Sequence, residues 1–220
     1  CNFATSKLNV YNMQNISHRQ KLKARILEAA TSMFVEQGIR MVRMDDIARS
    51  LSISKRTLYE IYDNKEELLM DVVKTGIERD RNRISTLLTN GANPIEVIFE
   101  GYRQRLKQFS SINPQFFEDI NTYESVKNFL REKKEKGLFE RIDFFEKGVG
   151  QGYFIAGVDY KLLNTIIDGA MQYIMSEKLY TKNDVKDMFR SSVMILLRGV
   201  CTPHGLKQLD SLMQNLTEKK

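Results

Sequence analysis

The sequence predicts an all-α protein in which a small N-terminal three-helix unit precedes a larger helical domain. Three observations lead there. Apolar residues recur with a 3.6-residue period through most of the 220 residues, and only three residues are proline. No alternating strand pattern survives more than a few residues. Helix-start residues punctuate the chain at Ser17, Ser54, Asn64, Asn93 and Asn113, each ahead of an apolar stripe.

Ser17 with Gln20 forms a capping box, and Ile26, Leu27, Ala30, Met33 and Phe34 then make one stripe that stops at Gly38, so a first helix is predicted over roughly residues 18–37. A short second helix is expected at about 44–51, with Ile47, Ala48 and Leu51 inward. After a tight break a third begins at Ser54, whose hydroxyl can cap the free amide of Thr57 or of the residue before it. Two short helices joined by a turn of three or four residues form a helix-turn-helix. Asn64 with Glu67 opens a long helix, and Asn93-Pro94 and Asn113-Pro114 each place a cap before proline at the first helical position. Helices are predicted near 94–110, 114–121 and 124–150; Gly148, Gly150 and Gly152 break the pattern. Asp159 starts another helix, and Thr181 with Asp184 starts the last long one, through Arg198. The resulting division is a flexible leader (1–16), a helix-turn-helix domain (17–64) and a helical domain (65–216).

Composition narrows the function classes. A 42 % hydrophobic chain of this length can bury an ordinary core without staples. Cys1 and Cys201, alone at opposite ends, offer neither a disulfide framework nor metal spacing, which suits a reducing cytoplasm. His18 and His204 have no Cys or carboxylate at ligand spacing, so no metal or other cofactor is expected. No catalytic motif and no apolar run of membrane-spanning length is present. Cys1 in place of an initiator leaves Met13 as a plausible natural start. Residues 13–65 hold ten Lys/Arg against six Asp/Glu, whereas residues 66–220 hold twenty-three against twenty-two, so the basic surplus sits at the front.

The stretch SISKRTLYEIY (52–62) is where that surplus acquires a purpose. A helix entering a DNA major groove must bury one face on its supports and present donors on the other. Leu58 and Tyr62 suit the buried face; Lys55, Arg56, Thr57 and Glu60 are left on the groove side. Arg56 can donate two hydrogen bonds to guanine, Lys55 can reach a base edge or a phosphate, and Thr57 suits a phosphate oxygen or a thymine methyl. Lys65 opens the next helix, where free amides favour an anion.

The string ILEAATSMFVEQGIRMVRMDDIARSLSISKRTLYEIYDNKEELL resembles the DNA-binding domain of TetR-family transcriptional regulators. The match lies in the order of its parts: an Ala-Ala-Phe first helix closed by Gly38, an Ile-Ala second helix, a Ser-x-x-Thr-Leu-Tyr third, then Lys-Glu-x-Leu. GQGYFIAGVDYKLL (150–163) is similar to the segment preceding the family's dimerisation helices. The resemblance implies a homodimer, an all-α C-terminal domain that binds a small-molecule effector, and release from double-stranded operator DNA on ligand binding. By position it places Lys55, Arg56 and Thr57 on the groove face beside Ser54, and Tyr59 and Lys65 towards phosphate. Ser52 stands where the family usually has glycine, so a positive φ there would cost roughly 1 kcal/mol. Arg43 replaces the usual Thr or Ser cap and can exchange that cap for a phosphate contact. Arg56 replaces a common glycine, and Ile61 a polar or aromatic residue.

Phe99, Tyr102, Phe109, Phe116, Phe117, Phe129, Phe145, Met171 and Tyr173 recur at helical spacing. Together they suit the wall of an apolar cavity for an apolar or aromatic effector, although each alone reads more readily as ordinary core than as pocket wall. Dimerisation is expected on the last two long helices, through Leu163, Ile166, Ile167, Ala170, Ile174, Val193, Ile195, Leu196 and Leu197. The charged run at 131–137 reads as a solvated face. The competing reading is a helical ligand-binding or interaction protein whose helix-turn-helix no longer binds DNA.

Overall fold

The computed structural model describes residues 2–177, 179 and 184–217, with side chains described there except for 2–17, 108–111, 171, 175, 185, 186, 189, 192, 193 and 215–217. Among the described residues ten α-helices follow in order: α1 (Asn2–Gln37), α2 (Met44–Ser50), α3 (Lys55–Tyr59), α4 (Lys65–Thr89), α5 (Pro94–Ser111), α6 (Pro114–Ile120), α7 (Glu124–Gly150), α8 (Tyr160–Ser176), α9 (Val185–Val200) and α10 (Pro203–Thr217). Among the described residues there is no strand, only an isolated antiparallel bridge between Phe154 and Cys201. No described helix is long and apolar enough to cross a membrane.

Two starts differ from expectation. α1 begins at Asn2 rather than beside Ser17, because residues 2–36 contain neither proline nor glycine to stop a propagating helix. α10 is a helix beyond the one expected to be last. Thr202 caps it by accepting from the Gly205 amide at 3.1 Å, and Pro203 takes the first helical position. The start predicted at Thr181 lies outside the described residues.

The chain divides into two compact units, and the division falls within α4 rather than at residue 64. The first runs through Ile77 and takes in Gln115–Lys127; the second holds Glu78–Pro114 and the chain from Asn128 onward. In the first unit Ile26, Ala30, Phe34, Ile39, Val42, Ile47, Leu58, Tyr62, Leu68 and Leu69 are all buried. Each large side chain among them stabilises the unit by about 1.5–3 kcal/mol through removal from water. Gly38 closes α1 with a φ of 85°, its amide donating to the Phe34 carbonyl at 3.0 Å. α6 joins this unit through the fully buried Asp119. That carboxylate accepts from the Arg40 amide at 2.7 Å and from Gln115 Nε2 at 2.9 Å, with Arg40 Nε at 3.6 Å. A buried charge is tolerated when it is paired and hydrogen-bonded to this extent.

The core of the second unit gathers Ile95, Phe99, Tyr102, Phe154, Tyr160, Leu197, Val200, Cys201 and Leu209. Phe145 stacks on Tyr160 with ring centres 4.8 Å apart. The 151–159 connection is stitched to the α9–α10 junction: Ile155 N donates to Val200 O at 2.9 Å, Thr202 N to Tyr153 O at 3.0 Å, and Thr202 Oγ1 to Gly152 O at 2.6 Å. A β-carbon on Gly205 would fall inside contact distance of the Tyr153 carbonyl, so α10 can approach only without a side chain there. Cys201 is buried beneath the junction, and burial pushes its thiol up to about 11.

Candidate nucleic-acid interface

α2 and α3 are short, so their placement rests on caps and on the buried side chains Met44, Ile47, Ala48 and Leu58, with Tyr62 just beyond α3. α2 opens at Arg43, which lies in extended conformation and donates its amide to Asp46 Oδ2 at 3.0 Å. The helix therefore caps without a Ser or Thr, and the exposed Arg43 side chain is left to solvent. α2 closes in a Schellman motif: Ile53 N reaches Ala48 O at 3.0 Å, and Ser52 N reaches Arg49 O at 3.1 Å. Ser52 sits at the left-handed position with φ 54°, the only non-glycine residue with positive φ among those described. Ser54 Oγ caps α3 from the Thr57 amide at 3.0 Å and also meets the Thr57 hydroxyl at 2.8 Å.

Leu58 and Tyr62 are buried and anchor α3 with Ile47 of α2. The Tyr62 hydroxyl donates to Asp71 Oδ2 at 3.1 Å, and Lys23 pairs with the same oxygen at 2.8 Å while lying 5.2 Å from the Tyr62 ring centre. Burial alone would raise the Asp71 carboxyl, but the hydrogen bond and charge of Lys23, with the Tyr62 hydroxyl, outweigh it and hold the group below its usual range. Burial and the neighbouring carboxylate push the Tyr62 hydroxyl in the opposite direction, strongly upwards.

The outward face carries Lys55, Arg56, Tyr59 and Glu60, all exposed, with Thr57 half-buried. Both cations have carboxylate partners: Lys55 pairs with Asp45 of α2, and Arg56 Nε donates to Glu60 Oε1 at 2.9 Å. Exposed pairs of this kind are worth about 0–1 kcal/mol, so they leave the outer donors of both cations open to a phosphate or a base edge. Arg19 of α1 donates to the Glu60 carbonyl at 3.1 Å and ties the end of α3 to the first helix.

Lys65 is turned away from the position that sequence suggests. Its ammonium donates to Ile39 O at 2.9 Å and Val42 O at 3.0 Å, with Arg40 O at 3.5 Å. It thus closes the loop after α1 rather than standing free for phosphate. Burial lowers its pKa, and the charge of Asp119 works against that. Asp45, Arg19 and Asp119 are absent from the sequence-derived set. Asp119 meets Arg40 across 79 positions, and no local spacing signals such a pair.

Residues 26–72 match the sequence profile of bacterial regulatory proteins of the tetR family. Over this segment the chain carries a tetR-family DNA-binding domain. It binds DNA through the helix-turn-helix, and members of this family are not enzymes. The KstR2 transcriptional repressor of Mycobacterium tuberculosis is 24 % identical over 152 residues, covering 66 % of this chain and 75 % of that protein. The IcaR negative regulator of the biofilm operon in Staphylococcus epidermidis is 43 % identical over 47 residues, covering 21 % of this chain and 25 % of its own. A regulator from Saccharomonospora viridis solved with choline shares the fold at a TM-score of 0.67 and 18 % identity, covering 83 % of this chain and 99 % of that one.

The second unit encloses a cavity of about 440 Å³. Ile84 and Leu87 of α4, Ile98 and Tyr102 of α5, Phe145 of α7, Leu163 and Ile167 of α8 and Leu196 of α9 wall it, and Asp80, Arg83, Glu100 and Gln104 form a polar margin. Arg103 grips Glu100 at 2.8 and 2.9 Å, which holds that carboxyl below its usual range. Of the aromatic set drawn from sequence, Tyr102 and Phe145 line the cavity. Phe99 is buried in the core, its ring 6.1 Å from that of Tyr102. Phe116 and Phe117 belong to α6 in the first unit, where Asp119 anchors that helix, and Phe129 lies outside the lining. Tyr173 is exposed on α8. The side chains of Phe109 and Met171 lie outside the described residues.

Proposed function

We propose that this regulator represses transcription as a cytoplasmic homodimer on a palindromic operator and releases it when an apolar or aromatic small molecule enters the cavity. The observation that carries the reading is one chain holding both an outward basic helix and an apolar cavity large enough for a small molecule. Lys55, Arg56 and Thr57 read the groove; Arg43, Ser54 and Tyr59 border it; Lys65 supports the loop behind it. α4 gives its first residues to one unit and its last to the other, so a shift in its pose can alter the spacing of paired reading helices. The ligand must favour one pose, because a ligand indifferent to both moves neither.

Two adjacent stripes on α8 support dimerisation. Leu163, Ile167, Ala170 and Ile174 line the cavity, while Leu162, Ile166 and Tyr173, one position earlier at each repeat, stand exposed with Ile195 of α9. The Val193 side chain, also expected here, lies outside the described residues. Such an outward stripe fits a self-complementary interface. Replacing Ile166 and Ile195 with glutamate is expected to turn dimer into monomer by sedimentation without loss of helicity.

Fluorescence anisotropy with a palindrome from the chain's own promoter region, beside a scrambled duplex, tests the whole reading. Specific binding by two subunits is expected, with log K falling about 0.9 per neutralised phosphate against log salt. Equal, salt-insensitive binding to both duplexes would leave the chain a helical ligand-binding protein.

A further inference from the structure

We infer that Glu60 is a positioning residue for base reading: it fixes the Arg56 guanidinium so that only its end-on pair of donors is offered to a guanine. The inference rests on the assignment of α3 as the reading helix. Arg56 and Glu60 are one helical turn apart, and the single bond between them runs from Nε to Oε1 at 2.9 Å. A guanidinium has five N–H donors in one plane. Engaging Nε sets that plane and removes the side-on approach, leaving the two terminal nitrogens whose spacing matches guanine O6 and N7.

The backbone that carries the carboxylate is itself held. Arg19 donates to the Glu60 carbonyl at 3.1 Å, so α1 restrains the backbone of the residue that restrains Arg56. Leu58 and Tyr62, both fully buried, fix the rotation of the turn that carries the pair. Arg56 is 89 % exposed and, without Glu60, would have the full rotamer freedom of a long side chain. Lys55 provides the contrast. Its partner Asp45 neutralises a point charge that has no plane to orient. A carboxylate on a phosphate-facing surface opposes every duplex alike, so the contribution of Glu60 must be directional rather than attractive.

Selection from random duplexes tests the inference on whatever operator the chain prefers. Full-length wild-type protein selects from duplexes with a randomised core about two helical turns long. Each guanine in the enriched sequence is then changed to adenine, and the affinity ratio is measured for wild type, Arg56→Ala, Glu60→Ala and Glu60→Gln. Arg56→Ala should lose the preference at one guanine per half-site, roughly 5- to 100-fold. Glu60→Ala should lose about two- to tenfold at that same guanine alone, while binding scrambled duplex more tightly. Glu60→Gln, which keeps an acceptor without the charge, should retain most of the preference and still bind scrambled duplex more tightly. A Glu60→Ala preference equal to wild type, or equal losses in Glu60→Ala and Glu60→Gln, overturns the positioning role. A preference that survives Arg56→Ala at every guanine removes Arg56 as a reader, and with it the assignment on which the proposal rests.

Discussion

The two units use apolar side chains differently. Among the described residues, the first exposes only Met41 and Tyr59 of its large hydrophobics, whereas the second exposes Ile84, Leu88, Phe139, Ile155, Leu162, Ile166, Tyr173 and Ile195 and encloses a cavity as well. The first unit is therefore close to self-sufficient, its apolar demand met within its own core. The second leaves surface that a ligand or a second copy can cover, as expected of a part whose arrangement must respond.

Phe34→Ala should break the contrast most forcefully. Emptying a fully buried aromatic site in the first unit is expected to cost about 3–5 kcal/mol, read as a lower urea midpoint with an unchanged slope. Gly205→Ala strikes the second unit, where the backbone of Tyr153 cannot give way; a loss of about 1–3 kcal/mol should appear by thermal denaturation. Asp71→Asn should act mainly through pH. Because the folded pKa of Asp71 is depressed, its contribution is present above the unfolded value near 4 and lost as pH falls through the folded one. The variant should accordingly be weaker than wild type at pH 7 and converge with it in acid, as followed by circular dichroism. Ser52→Gly is expected to be the smallest change, a gain below about 1 kcal/mol, since relief of the left-handed backbone is partly offset by glycine's greater freedom when unfolded.

The legible parts of the fold were those governed by neighbours in sequence. Asn93 shows why: its carboxamide accepts from the amides of Ile95 and Glu96, both at 3.0 Å, and Glu96 returns a bond to its amide at 2.8 Å. Thr202-Pro203 has the same grammar, so α10 was readable from the sequence although it was not expected. At Ser52, which stands where the resembled family usually has glycine, the backbone does take a positive φ. Lys65 was not legible, because its carbonyl partners lie 23 to 26 residues upstream and only the folded loop brings them together. The cavity was legible only as a class of residue. Helical spacing identifies an apolar stripe, but Tyr102 and Tyr173 differ in which side of a helix the unit turns inward.

Cys201 offers a clock for the second unit. A thiol held near 11 is almost wholly protonated at neutral pH, and its burial keeps alkylating reagents away while the α9–α10 junction is closed. Its labelling rate, followed on the peptide that contains it, therefore counts openings of that junction. A ligand that tightens the surrounding helices would slow the clock before any change in helix content became measurable.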